Sequence, residues 1–206
     1  MGLYDPSWGK FLIICVFIQA REGSTRFPGK ISADLCGKTV LARVCEQAAQ
    51  IKGVNGGVFV LMPQDYPNRE ENDVLGRYAD AARKYGADVI VRVTGDCPLF
   101  DPQVGTHVLK RFLSRGRLFE YVSNIWPKRT WPDGMDCEVF TADILQAADH
   151  EATCPEDREH VTPWIQRNAD GWYNLRLPVD WSHVRLTVDT PEDLEWLRHA
   201  ITSPRS

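Results

Sequence analysis

Short apolar segments that alternate with amphipathic helical patterns constrain the fold more than any other feature of this sequence. Three apolar runs are typical of parallel strands that are buried on both faces: residues 11–18, 57–62 and 88–93. Apolar residues spaced three and four positions apart predict three helices: residues 40–51, 74–85 and 102–112. This order of elements predicts right-handed crossovers and an α/β fold with a doubly wound, mostly parallel sheet.

The second half of the chain has a less regular pattern. Four further strands are predicted there: residues 119–123, 135–140, 172–177 and 184–188. Asp133 and Gly134 form a turn signal, and Thr190 followed by Pro191 predicts the start of a final helix that ends near Ile201. Because no repeat or linker interrupts the chain, we predict one domain over residues 11–206, preceded by an extension of residues 1–10.

Composition and charge exclude several classes of protein. The 206 residues carry a formal net charge of −4, which argues against a polybasic nucleic-acid-binding protein. The longest apolar run, residues 11–18, is far shorter than the ~20 residues of a membrane helix and lacks the flanks of a signal peptide. Six cysteines without a C-x-x-C pair fit reduced thiols. We therefore predict a cytoplasmic protein that binds neither nucleic acid nor membranes.

The loop after the first predicted strand has the composition of a phosphate-binding loop. Residues 19–30 have the sequence QAREGSTRFPGK, in which the glycines expose backbone N–H groups and Ser24 offers a hydroxyl donor. Arg21, Arg26 and Lys30 add positive charge at the carboxyl end of a strand, where open α/β sheets bind ligands. Neither the P-loop pattern nor G-x-G-x-x-G is present, and composition alone fits a solvated basic loop equally well.

Two other predicted strands are followed by carboxylates. Asp96 lies in the loop after the third strand, where Gly95 gives the backbone room for an unusual turn. A carboxylate that faces a triphosphate requires a hard cation between them, so Asp96 is a predicted Mg²⁺ ligand. Asp101 is explained more simply as the cap of the helix that begins at Pro102. Asp189, taken alone, is explained as an ordinary carboxylate at a helix entry.

Six segments, in order, resemble motifs of the cytidylyltransferase family. They are QAREGSTRFPGK, NDVLGRY, ADVIVRVTGDCPLFDP, WPDGMDCEVF, DREHVTPWI and RLTVDTPEDL, and the resemblance covers about residues 11–201. The most similar branch is the spore-coat polysaccharide biosynthesis type, which is related to acylneuraminate and 3-deoxy-manno-octulosonate cytidylyltransferases. The resemblance implies a nucleotide-diphospho-sugar transferase fold. It also implies Mg²⁺-dependent transfer of CMP from CTP to a sugar, which we predict to be acidic, with release of pyrophosphate.

The resemblance further implies roles for individual residues. Eight residues are assigned to the nucleotide, with Arg21, Lys30 and Asp96 also catalytic: Gln19, Ala20, Arg21, Gly23, Ser24, Arg26, Lys30 and Asp96. Asp96 and Asp189 are assigned to Mg²⁺, which replaces the helix-entry interpretation of Asp189. Five residues are assigned to the sugar acceptor: Asp133, Asp136, Glu138, Arg158 and His160.

One segment departs from the family pattern. Between the second strand and the NDVLGRY helix the family carries another helix and a short strand, whereas this chain has only residues 63–71. Two interpretations stay open: a partner subunit, as in a homodimer, covers this side of the site, or the site is unusually open.

Two rival hypotheses accompany the leading one. The first is a different enzyme on the same fold, either a glycosyltransferase that uses a nucleotide sugar or a cytidylyltransferase for a phosphonate or another small acid. The second is a nucleotide-binding module without catalysis. Release of pyrophosphate from CTP would exclude the glycosyltransferase, whereas CTP binding without turnover would favour the module.

Overall fold

The structure, a computed structural model, describes residues 4–5, 9–114 and 118–203. The predicted extension of residues 1–10 therefore lies largely outside the described residues. Its described part forms a small antiparallel pair, β1 (Tyr4–Asp5) and β2 (Lys10–Phe11), which is separate from the main sheet.

The centre of the fold is a six-stranded sheet. Its strands are β3 (Ile14–Gln19), β4 (Gly57–Leu61), β5 (Val89–Thr94), β6 (Tyr121–Ser123), β7 (Glu138–Thr141) and β8 (Trp172–Asn174). Their spatial order is β4-β3-β5-β7-β6-β8. β7 pairs antiparallel with both of its neighbours, whereas the other pairs are parallel. The predicted mostly parallel sheet is thus confirmed.

Seven α-helices lie in the described part of the chain. They are α1 (Val40–Ala48), α2 (Val74–Tyr85), α3 (Pro102–Leu113), α4 (Ala142–Glu151), α5 (Pro155–His160), α6 (Pro163–Asn168) and α7 (Pro191–Thr202). Both ends of α2 are capped: the Asp73 side chain accepts from the N–H of Gly76, and Gly86 ends the helix in the left-handed region at φ +63°. Within the described residues, no helix is long and apolar enough to cross a membrane.

Helices cover both faces of the sheet because successive side chains of β3 point to opposite sides. Phe17 belongs to a buried apolar cluster that includes Tyr78 of α2, on the face that α4 also covers. Val16 belongs to the cluster on the other face, with Val44 of α1 and Val108 of α3. The doubly wound architecture predicted from the sequence is therefore confirmed.

The predicted strand over residues 184–188 is wrong. This segment makes a single isolated bridge, between Arg185 and Asp133, and the backbone hydrogen bonds of Asp133 go to Val184 and Leu186. The segment instead runs alongside the 130–136 loop, to which these two hydrogen bonds join it. Helices α4, α5 and α6 were not predicted, because six to ten residues contain too few turns for a clear 3.6-residue period.

The order of the strands fixes where a ligand can bind. After β3, the chain first adds β4 on one side of β3. It then adds β5 on the opposite side of β3. Such a reversal leaves a crevice at the carboxyl ends of the two adjacent strands, here β3 and β5.

Candidate functional site

A cleft lies at the carboxyl ends of β3 and β5, at the reversal of strand order. It brings together nine of the residues that the sequence predicted for the site: Gln19, Ala20, Arg21, Ser24, Arg26, Lys30, Asp96, His160 and Asp189. These residues are separated by up to 170 positions in the chain, so only the fold explains their proximity.

Glycine is required at position 95 because the loop after β5 passes against the end of β3. The backbone N–H of Gly95 donates to the carbonyl oxygen of Gln19 at 3.0 Å. A Cβ atom at position 95 would lie 2.8 Å from that oxygen, which is closer than real Cβ atoms come. The close approach brings the following residue, Asp96, to the wall of the cleft.

Glu22 organises the 19–30 loop through its carbonyl and its carboxylate. The backbone N–H groups of Ser24 and Gly29 both donate to the carbonyl oxygen of Glu22 at 3.0 Å, and the Ser32 hydroxyl donates to its carboxylate at 2.6 Å. Gly29 adopts φ +72°, a left-handed conformation that glycine reaches without strain. The loop thereby surrounds one end of the cleft with basic and hydroxyl side chains.

The ammonium group of Lys30 lies between two carboxylates. Its Nζ is 2.7 Å from Asp96 Oδ2 and 2.9 Å from Asp189 Oδ1, and the side chain is only 11% exposed. Burial acts to lower the pKa of Lys30, but the charge of Asp96 and the hydrogen bonds to both carboxylates raise it above its usual value. Lys30 therefore stays protonated at neutral pH and acts as the counter-ion of the pair.

Two more cations surround Asp189. Arg26 Nη2 lies 3.2 Å from Asp189 Oδ1, and Arg185 Nη2 lies 2.5 Å from Oδ2. Burial acts to raise the pKa of Asp189, but Lys30, Arg26 and Arg185 together lower it below the usual value. Asp189 is therefore ionised throughout the neutral range.

The lowered pKa of Asp189 predicts how stability depends on pH. A carboxylate with a lowered folded-state pKa stabilises the protein above its unfolded pKa of about 3.9, and that stabilisation is lost as the pH falls through the folded value. Asp189→Asn should therefore lower the free energy of unfolding by about 1–2 kcal/mol at pH 7. In urea titrations, the difference from the wild type should stay constant down to about pH 5 and shrink below about pH 4. An equal difference at pH 7 and pH 3 would contradict this electrostatic account.

The paired carboxylates fit a divalent cation. Asp96 and Asp189 already point oxygen atoms at one cation, the Lys30 ammonium, at hydrogen-bond distances. Among the described residues no group of three or more His, Cys, Asp or Glu side chains forms a metal site. A site of two carboxylates is suited to Mg²⁺, which completes its coordination with phosphate oxygens and water.

Helix α5 brings acidic and imidazole side chains to the cleft. Glu159 and His160 line it, and Glu159 Oε1 lies 3.3 Å from Nη2 of Arg21. Arg21 also donates to the side chain of Asn72 at 3.2 Å, next to the Asp73 cap of α2. The position of His160 is compatible with its predicted contact with an acceptor, which stays a prediction.

Arg158 points into a different network. Its Nε donates to Asp73 Oδ1 and its Nη2 to Asp149 Oδ1, both at 2.8 Å, and its side chain is 20% exposed. Arg158 is not among the described residues that line the cleft. It instead ties α5 to the cap of α2 and to α4, so we no longer expect it to contact the acceptor directly.

This placement gives a prediction about Arg158. Arg158→Met should lower the free energy of unfolding by about 1–2 kcal/mol in urea titrations, because Asp73 and Asp149 lose one of their cations and keep only Arg69 as a shared partner. The KM of the acceptor should change less than twofold, because the side chain does not reach the cleft. A large increase in that KM at unchanged stability would restore the contact between Arg158 and the acceptor.

The three carboxylates assigned to the acceptor have different surroundings. Glu138 is 1% exposed, pairs with Arg92, and accepts from the Tyr121 hydroxyl at 2.5 Å, so it has no surface for a substrate. Asp136 forms a two-pronged pair with Arg129, and burial raises its pKa. Asp133 has the most exposed side chain of the three, at 38%. None of the three is among the described residues that line the cleft, and Glu138 fits a supporting position rather than a substrate contact.

The shortened segment, residues 63–71, packs directly against the 19–30 loop. A Cβ atom at Gly23 would lie 2.9 Å from the Glu71 carboxylate, so glycine permits this close contact. Gly23 is not among the described residues that line the cleft, and its predicted contact with the nucleotide stays a prediction. Only one short 3₁₀ helix, Pro63–Asp65, is found in the segment.

The sequence analysis missed Arg77. This residue is 1% exposed and lines the cleft, and burial lowers its pKa. Its Nη1 donates to the carbonyl oxygen of Glu71 at 2.6 Å, whereas its Nε has no hydrogen-bond partner among the described residues. The available signal was an arginine inside the NDVLGRY motif, next to the buried face of α2.

Comparisons with known proteins agree with this geometry. A family model described as cytidylyltransferase matches residues 15–60. A cytidylyltransferase of known structure from Leptospira borgpetersenii serovar Hardjo-bovis (strain JB197) is 33% identical, with a TM-score of 0.85 over 95% of this chain and 89% of that chain. The spore coat polysaccharide biosynthesis protein SpsF of Bacillus subtilis (strain 168) is 29% identical over 210 residues, which cover 90% of this chain and 85% of that protein. The 3-deoxy-manno-octulosonate cytidylyltransferase of Trichlorobacter lovleyi is 35% identical over 118 residues, or 48% of this chain and 45% of that enzyme.

Proposed function

The chain belongs to the cytidylyltransferase family, and we propose that it transfers CMP from CTP to a hydroxyl group of a sugar, with release of pyrophosphate. The names of its relatives support this proposal, because one is a cytidylyltransferase for an acidic sugar and another serves polysaccharide biosynthesis. The product would be a CMP-sugar for surface polysaccharide or glycoconjugate synthesis.

One observation carries the proposal. A glycine-containing basic loop and a pair of carboxylates meet at Lys30, inside the cleft at the reversal of strand order. The loop supplies charge for a polyphosphate, and the carboxylates supply ligands for the cation that accompanies it.

The residues of this chain act mainly by binding and orienting the reactants. Arg21, Arg26 and Lys30 meet the phosphates of CTP and stabilise the charge that builds up on the departing pyrophosphate. The acceptor hydroxyl is held in line with the bond from the α-phosphate to pyrophosphate. The hydroxyl oxygen forms the new bond to phosphorus, the bond to pyrophosphate breaks, and the hydroxyl proton goes to solvent. Alignment of the two substrates supplies much of the rate increase.

We propose Mg²⁺ as the cation held by Asp96 and Asp189. When bound, Mg²⁺ would neutralise charge on the phosphates of CTP. Lys30 occupies the space between the two carboxylates. It therefore has to exchange one or both carboxylates for phosphate oxygens when CTP binds.

The acceptor binds next to the nucleotide, in our proposal on the side of the cleft that α5 borders. His160 is the basic side chain of α5 that lines the cleft. An acidic sugar, a homodimer that covers the shortened segment, and a cytoplasmic location stay predictions.

Pyrophosphate release tests the proposal. The protein, CTP and MgCl₂ are incubated with a panel of acidic and neutral sugars, and pyrophosphate is measured with an enzyme-coupled assay. We expect release that depends on both CTP and one class of sugar. Tight CTP binding without release on any acceptor would favour the non-catalytic module, and sugar transfer from a nucleotide sugar would favour the glycosyltransferase.

A further inference from the structure

The side-chain amide of Gln19, which lines the cleft, is oriented by a hydrogen bond from Arg92. Gln19 is the last residue of β3 and lines the cleft. Its Oε1 accepts a hydrogen bond from Arg92 Nη2 at 2.7 Å. A guanidinium group only donates, so the atom that faces Arg92 must be the oxygen. The amide nitrogen, a donor, is therefore the atom that Gln19 can offer to a ligand.

Arg92 is itself held by a buried network. It lies opposite Glu138 in the pairing of β5 with β7, and its guanidinium contacts the Glu138 carboxylate. Glu138 also accepts from the Tyr121 hydroxyl at 2.5 Å, and Gln166 donates to that hydroxyl at 3.1 Å. This chain of contacts leaves the guanidinium little freedom to turn away from Gln19.

Stability alone does not account for this ion pair. Arg92 and Glu138 have side chains that are 10% and 1% exposed, on the face of the sheet that also carries Phe17. Replacing a buried ion pair by apolar side chains of similar volume is often neutral or stabilising. The contact with Gln19 gives the ion pair a role at the cleft, because Arg92 holds the Gln19 amide in one orientation.

A second donor lines the same cleft. Arg77 is buried there, and its Nε has no hydrogen-bond partner among the described residues. Like the nitrogen of Gln19, a guanidinium offers hydrogen-bond donors and no acceptor. The cleft therefore contains two donor side chains, Gln19 and Arg77, and suits a ligand that carries acceptor atoms.

We propose that Arg92 is a positioning residue for base recognition, which orients Gln19 so that its amide nitrogen donates to the acceptor edge of cytosine. The proposal rests on the proposed function. Cytosine has two adjacent acceptors, O2 and N3, whereas uracil carries a hydrogen atom on N3. A fixed donor at this position therefore favours CTP over UTP, because a donor that meets the N3–H of uracil leaves both groups unpaired.

The first test replaces the donor by an acceptor. In Gln19→Glu, one carboxylate oxygen still accepts from Arg92, and the other takes the place of the amide nitrogen. We expect the ratio of the dissociation constants of UTP and CTP, measured by calorimetry with MgCl₂ present, to fall at least about 30-fold from the wild-type value. A ratio within threefold of the wild type would overturn the proposal.

The second test removes the positioning pair while the core stays filled. Arg92→Met combined with Glu138→Met leaves no unpaired buried charge. Arg43→Met is the control, because this arginine donates to the carbonyl groups of Leu35 and Cys36 and not to Gln19. We expect the double variant to lose about tenfold in the UTP/CTP ratio while the control retains it. A purely structural role would change the melting temperature and leave the ratio unaltered, and that result would contradict the inference.

The nucleotide preference of the wild-type protein distinguishes a failure of this inference from a failure of the proposed function. If the wild type shows no preference for CTP, the proposed function itself is wrong, and the inference fails with it. If the wild type prefers CTP and both variants keep that preference, only the inference fails.

Discussion

Asp96→Asn should reduce kcat/KM for CTP about 1,000-fold while the protein stays folded. The amide has nearly the shape of the carboxylate but no charge, so it is a poor ligand for the cation that accompanies the triphosphate. A thousandfold loss corresponds to about 4 kcal/mol of transition-state stabilisation, a reasonable magnitude for removing one of two metal-binding carboxylates. The measurement is initial pyrophosphate release at saturating acceptor, with circular dichroism to verify the fold.

Asp101→Asn provides a matched control for this experiment. Asp101 caps α3 by accepting from the N–H of Gln103 at 2.8 Å, and asparagine caps helices about as well as aspartate. The same chemical change five positions away should therefore leave kcat/KM within twofold of the wild type. Full activity of Asp96→Asn at saturating CTP and MgCl₂ would remove Asp96 from the catalytic site.

Lys30→Ala should weaken the binding of CTP about 100-fold and that of CMP less than fivefold. Lys30 is the buried cation between Asp96 and Asp189, and in our account it meets the β- and γ-phosphates, which CMP lacks. Its loss also leaves the two carboxylates facing each other without an ammonium group, which adds repulsion against a polyphosphate. Calorimetric titrations with CTP and CMP, both with MgCl₂, measure the difference.

Lys38→Ala is the control for Lys30, because Lys38 pairs with Glu46 in an exposed position. We expect its affinities for both nucleotides to equal those of the wild type. Equal losses for CTP and CMP in Lys30→Ala would place Lys30 on the α-phosphate or in the fold alone. A melting temperature for each variant shows whether a loss of binding reflects unfolding.

The parts of the site that could be predicted from the sequence are those encoded locally. The 19–30 loop and Asp96 follow buried strands, and the order of strands and helices brings their ends together. The caps at Asp73 and Thr190 are equally local, because a cap depends on residues three positions away. The loop and the caps could be predicted because each depends on residues that are close together in the sequence.

The remaining parts depend on contacts between distant residues. Arg158 and His160 lie two positions apart on α5, yet one joins a network with Asp73 and the other lines the cleft. The motif shows that both residues are present. It does not show in which direction each side chain points from a six-residue helix. The Arg92 and Glu138 pair likewise exists only because β7 inserts next to β5, far along the chain. Their functions therefore follow from topology, which no single motif shows.

The identity of the phosphorus-containing product tests the central proposal most directly. The protein is incubated with CTP, MgCl₂ and the sugar that best supports pyrophosphate release, and the mixture is followed by ³¹P NMR spectroscopy with mass spectrometry of the products. We predict a CMP-sugar phosphodiester and pyrophosphate that appear in equal amounts, and formation of both about 1,000-fold more slowly with Asp96→Asn. Pyrophosphate that accumulates with free CMP and no phosphodiester, or a sugar transferred without cleavage of CTP, would contradict the proposed transfer.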